Sequence, residues 1–116
     1  MSVKIYHNPR CSKSRQTLAL IEEQGIQPEI IEYLKEVPTA SEIDFICNQL
    51  AIEPLSIIRV KEKLFAELGL SKKDEKSRAQ WIEIMVANPK LIERPIVVNG
   101  DQVAVGRPPE NVLAIL

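Results

Sequence analysis

Aromatic residues are scarce: two Phe, two Tyr and one Trp make up 4% of a 116-residue chain. The core must therefore be aliphatic, and a hydrophobic content of 45% is enough to fill one domain, residues 1–116. Histidine occurs once, at His7, and cysteine twice, at Cys11 and Cys47. Two cysteines exclude a disulfide scaffold, and one histidine with two separated cysteines lacks the ligands for a metal site. Neither sign of charge dominates: 15 Lys and Arg face 16 Asp and Glu, a net charge of -1. That balance gives no pull toward nucleic acid or an anionic membrane. No apolar run approaches the roughly 20 residues of a membrane span. The opening Met1-Ser2-Val3-Lys4 enters a strand without the apolar core of a signal peptide. Cytoplasmic residence is expected, and there thiols stay reduced. No internal repeat or low-complexity linker interrupts the chain.

What is present falls into three blocks. Val3 to His7 predicts a strand, the stretch from Cys11 to about Gln24 a helix closed by Gly25, and Glu29 to Tyr33 a second strand. Strand, crossover helix and strand make a right-handed parallel βαβ unit. Residues 39–92 read as helical. Thr39-Ala40-Ser41-Glu42 and Ser77-Arg78-Ala79-Gln80 are capping boxes, each followed by an apolar stripe: Ile43, Ile46, Cys47 and Leu50 in one, Ile82, Met85 and Val86 in the other. Between them, Pro54 opens a short helix leading to Ile57, Ile58 and Arg59, and Leu64, Phe65 and Leu68 mark another that Gly69 ends. Lys72 to Lys76 is a solvated charge run. The last block is two short strands, Ile96-Val97-Val98 and Val103-Ala104-Val105, joined at Asn99-Gly100, then a closing helix carrying Val112, Leu113 and Leu116. The order βαβ, helices, ββα is the plan of an α/β, thioredoxin-like domain with a four-stranded mixed sheet and a helical insertion.

The chemistry concentrates in Tyr6-His7-Asn8-Pro9-Arg10-Cys11-Ser12-Lys13-Ser14-Arg15. Cys11 stands at a strand-to-helix junction, in the first turn of the helix. Unpaired backbone N–H groups and the helix dipole favour a negative charge there. An ordinary thiol titrates near 8.5, and a helix N-terminus with cations pulls it to about 3.5–7.5. Arg10, Lys13, Arg15 and His7 are the candidate cations, and the thiolate is the nucleophile. His7 either stabilises the thiolate or simply ends the strand. Cys47, within an apolar stripe, reads as core, with a resolving-thiol role as the alternative. Ser14 occupies the second position of a C-x-x-C pattern, so the local dithiol of ordinary oxidoreductases is missing. A second thiol must then come from elsewhere, and glutathione is the abundant cytosolic candidate. Ser14 is expected to donate a hydrogen bond to the sulfur.

The chain resembles the glutaredoxin-linked arsenate reductase family, in its short branch, over essentially its whole length. The resemblance rests on His7-Asn8-Pro9-x-Cys11-x-x-Ser14-Arg15, on Arg59, on Glu93-Arg94-Pro95-Ile96 and on Gly106-Arg107-Pro108, in that order. It implies that Cys11 attacks arsenate, that Arg59, Arg94 and Arg107 hold the oxyanion, and that glutathione and glutaredoxin return the enzyme to its starting state, with no bound cofactor. A guanidinium fork suits a tetrahedral anion because it offers paired donors and stays charged. The fold resemblance also implies a cis Pro95 beside the cysteine. Ser12 and Lys13 stand where the family has glycine and threonine, and the chain is shorter than the longer reductases.

Two other functions fit parts of the pattern. RNA-polymerase-binding redox regulators of the Spx type share the fold but switch through a C-x-x-C pair that Ser14 abolishes here. A third function is a glutathione-linked thiol-disulfide oxidoreductase in which arsenate is incidental. The expected enzyme is a monomer acting on arsenate or a similar oxyanion.

Overall fold

The computed structural model describes residues 2–116. They divide into two compact units, one formed by the residues up to Val37 together with Arg94–Leu116, the other by Pro38–Glu93. The boundary falls within two residues of the helical stretch that the sequence marks out.

The first unit is built on a sheet of four strands: β1 (Val3–His7), β2 (Glu29–Glu32), β3 (Ile96–Asn99) and β4 (Gln102–Val105), in the order β2-β1-β3-β4. β1 pairs parallel with β2 and antiparallel with β3, and β3 pairs antiparallel with β4. The sheet is mixed and the arrangement thioredoxin-like. Helix α1 (Ser12–Glu23) makes the parallel crossover from β1 to β2. It ends at Gly25, whose φ of 78° is the left-handed value that only glycine takes without strain. The core on this side is aliphatic, as composition requires: Val3, Ile5, Ile21, Val97 and Val112, with Leu18, Ile26, Ala104, Ile115 and Leu116 packed against them.

Two details depart from expectation. The β3–β4 loop is Gly100-Asp101, not Asn99-Gly100. Asn99 stays in the strand opposite Gln102, and its side-chain amide donates to the Ile115 carbonyl. Gly100, with φ 63°, is thus the first central residue of the turn, the place where a type II′ hairpin wants glycine. The closing helix is a 3-10 helix, Pro109–Ile115, rather than an α-helix. In 3-10 geometry residues three apart eclipse. Val112 and Ile115, three apart, both face the core, Leu116 just beyond the helix packs there as well, and Leu113 is left outside, 41% exposed.

The second unit holds α2 (Ala40–Leu50), α3 (Lys63–Glu67) and α4 (Arg78–Ala87), with 3-10 turns at Pro54–Ile57 and Pro89–Leu91. Both capping boxes form, Thr39 with Glu42 and Ser77 with Gln80. α2 ends on Ala51 at φ 56°, a left-handed cap without a glycine. α4 packs against α2, Phe65 stacks on Trp81 at 6.3 Å between ring centroids, and Ile58 bridges Ile92. Among the described residues no helix is long and apolar enough to cross a membrane.

Candidate active site

The loop between β1 and α1 is held by its own short side chains. Asn8 accepts from the Arg10 N–H through Oδ1 and from the Cys11 N–H through its carbonyl, both at 3.0 Å. Arg15 reaches back to donate to the Pro9 carbonyl at 2.9 Å. Cys11 is therefore the N-cap of α1 rather than a residue of its first turn, and its backbone is extended. The thiol closes no cap hydrogen bond. The Ser14 and Lys13 N–H groups nevertheless lie where they favour a negative sulfur. No Asp or Glu stands in the first turn of α1, so the positive end of the helix is not neutralised.

Two arginines of the first unit complete the surroundings. Arg107 Nη2 points at Cys11 Sγ from 3.6 Å, and Arg107 Nε donates to the Arg94 carbonyl at 2.8 Å. Nε and Nη1 of Arg94 are shielded from solvent. Arg94 precedes Pro95 across a cis peptide bond, as the resemblance implies, and Arg107–Pro108 is cis as well. Burial pushes the Cys11 thiol up. The Ser14 N–H, the Arg94 charge, the Lys13 N–H and the Arg107 charge together outweigh it, so the thiol titrates below its ordinary value. Cys11 as a residue is buried, at 9% exposure.

Ser14 does not serve the sulfur through its hydroxyl. Its Oγ lies 2.6 Å from His7 Nδ1 and accepts from the Asn8 N–H at 3.0 Å. Only its backbone N–H acts on Cys11. Ser14 is wholly buried and His7 is 6% exposed, so each takes its partner from the protein. Desolvation lowers the His7 pKa; Glu32 opposes and Arg15 reinforces that shift. A histidine already below its usual value is neutral at pH 7, so His7 ends the strand and orders the loop rather than supplying a cation.

Arg59 lies in the second unit. Its N–H donates to the Leu91 carbonyl at 2.7 Å, and its Nη1 pairs with Glu62 at 2.8 Å. Lys90 holds the other Glu62 oxygen at 3.3 Å. Cys47 is fully buried in α2, and burial raises its pKa, which marks it as core. Arg78, the first residue of α4, donates from Nε to Asp44 Oδ1 at 2.8 Å and from Nη2 to Asn48 Oδ1 at 2.9 Å, both in α2.

Three further residues support the site. Gly106 is so closely packed that a Cβ there would stand 2.5 Å from Thr17 Oγ1 and 2.8 Å from Pro95 Cγ. Thr17 is fully buried in α1. Asn111 donates to the Arg107 carbonyl at 3.0 Å and to the Val105 carbonyl at 3.4 Å. An asparagine just after Pro108-Pro109 is the one available hint of such a turn clasp.

Known proteins match over the same extent. The model of the ArsC family matches residues 6–115. A protein of Haemophilus influenzae named arsenate reductase is 48% identical, with both chains covered in full. One of Neisseria meningitidis with the same name is 44% identical over 98% of this chain and 97% of its own. The solved structure of an arsenate reductase from Vibrio cholerae, 50% identical, superimposes with a TM-score of 0.94 over 100% of this chain and 98% of that one. Sequence and backbone agree from end to end, and the chain belongs to the ArsC family.

Proposed function

We propose that the protein reduces arsenate to arsenite by thiol chemistry at Cys11, with glutathione and glutaredoxin as electron donors. The observation that carries the reading is a thiol of lowered pKa at the start of α1 with Arg107 Nη2 3.6 Å from its sulfur. The name borne by relatives at 44–50% identity supports the same substrate.

The steps follow from the groups present. The Cys11 thiolate attacks arsenic and forms an S–As bond while one oxygen leaves as water. Arg94 and Arg107 hold the remaining oxygens and offset the charge that builds on them. Arg59 is assigned to the oxyanion on the family resemblance alone. Glutathione adds its sulfur to arsenic in place of a second oxygen. The two sulfurs then join as a Cys11–glutathione disulfide while both S–As bonds break, one electron pair stays on arsenic and takes it from As(V) to As(III), and water adds as arsenite departs. Glutaredoxin removes the glutathione by thiol–disulfide exchange. An outside thiol fits because Ser14 leaves no second cysteine beside Cys11. Cytoplasmic location, a monomeric state and a single folding domain belong to the same reading.

The test is arsenate-dependent oxidation of glutathione in the presence of glutaredoxin, wild type against Cys11→Ser. Loss of turnover in the variant is expected. Equal turnover would remove Cys11 from the chemistry, and no turnover in the wild type would remove arsenate.

A further inference from the structure

We infer that Asn111 is a positioning residue for Arg107: its side-chain amide clasps the turn after β4 and so holds the guanidinium against the Cys11 sulfur. This rests on the reading of Arg107 and Cys11 as site residues.

The geometry is specific. Residues 106–108 leave β4 and enter the 3-10 helix Pro109–Ile115, and neither Pro108 nor Pro109 has an N–H with which to close the turn. Asn111 supplies the missing donors. Its Nδ2 donates to the carbonyls of Arg107 and Val105, on either side of Gly106, and its own N–H donates to Pro108 at 3.0 Å. The opposite side of the turn is already fixed. The Gly106 N–H donates to the Pro95 carbonyl at 2.9 Å, and Gly106 is pressed onto Thr17 and Pro95 with no room for a Cβ. The turn is therefore gripped from within by α1 and the Arg94-Pro95 segment, and from outside by one exposed asparagine. Arg107 is the residue between the two grips. Its backbone carbonyl is held by Asn111, its Nε is held by the Arg94 carbonyl, and its Nη2 reaches the sulfur.

Asn111 itself touches neither sulfur nor substrate, so the test reads the sulfur through Arg107. The charged side chains that act on Cys11 are Arg94 and Arg107. Iodoacetamide alkylation of the intact protein is followed across pH in wild type, Asn111→Ala, Arg107→Ala and the double variant. Asn111 is exposed, and Asn111→Leu repeats the measurement with a side chain of similar size and no donor. Asn111→Ala is expected to raise the alkylation midpoint by about half a pH unit, roughly threefold less thiolate at pH below both midpoints. In the Arg107→Ala background it is expected to add nothing, because the group it positions is gone. An unchanged midpoint in Asn111→Ala, or the same rise with and without Arg107, would overturn the assignment. No oxyanion enters this experiment, so its outcome is independent of whether arsenate is the substrate.

Discussion

Arg107 and Cys11 stand 96 positions apart in the chain, and yet Arg107 Nη2 lies 3.6 Å from Cys11 Sγ. The same guanidinium keeps Nε on the Arg94 carbonyl at 2.8 Å. A planar fork with separate donors can do both at once, and an ammonium cannot.

Arg107→Lys and Arg94→Lys are therefore expected to weaken oxyanion binding tenfold or more, about 1.4 kcal/mol each. Steady-state KM for arsenate measures this, with competitive inhibition by sulfate as a second reading. An unchanged KM in both variants would take the two arginines out of the oxyanion site.

The thiol pKa carries a stability consequence with a definite sign. In the folded protein Cys11 titrates below the ordinary thiol value of the unfolded chain. Between those two values the folded state is ionised and the unfolded state is not. Stability therefore rises with pH through that window. The gain is fully present above the unfolded value and is lost as pH falls through the folded one. Urea midpoints of wild type and Cys11→Ser should diverge with increasing pH across this range. A difference that stays constant with pH would contradict a lowered thiol.

Ser14→Ala removes the hydroxyl shared by His7 Nδ1 and the Asn8 N–H, and leaves buried polar atoms without that partner. A cost of about 1–3 kcal/mol is expected in chemical denaturation. The Cys11 alkylation midpoint should move little by comparison, because the backbone N–H of residue 14 remains. A large midpoint shift with little loss of stability would place the hydroxyl on the sulfur after all.

Ala51 closes α2 at φ 56°, where a Cβ is strained. Ala51→Gly is expected to stabilise the protein by about 1 kcal/mol, the relief of strain exceeding the added freedom of the unfolded chain. A lower denaturation midpoint would show that the cap tolerates alanine without strain.

Much of this fold is written in local signals. Alternation and β-branched runs mark β1, β3 and β4, and the hydroxyl and carboxylate or amide of each capping box mark the starts of α2 and α4. These signals act over a few residues, so they survive reading one residue at a time. The hairpin turn slipped by one position because Asn99 is recruited by the distant Ile115 carbonyl. The last helix is 3-10 rather than α, a difference in hydrogen-bond pattern that the spacing of Val112, Leu113 and Leu116 does not encode. The site divides the same way. Cys11 is legible from its place before an apolar helix. Ser14 turns its hydroxyl to His7 instead of the sulfur, a partner set by burial rather than by spacing. The approach of Arg107 to Cys11 had no local trace, and the family resemblance alone marked it. Asn111 acts on the carbonyls of Val105 and Arg107, and an asparagine shortly after Pro108-Pro109 is its only local hint.

The bare first turn of α1 has a cost for anyone who would engineer this protein. α2 carries Glu42 in its first turn, and a carboxylate there is the usual recipe for a sturdier helix. Applied to α1 at Ser12 or Lys13, that recipe would strengthen the helix and blunt the reagent it carries, because the same field that welcomes a carboxylate is what ionises Cys11. Robustness and reactivity draw here on one electrostatic source, and the chain has left it to the sulfur.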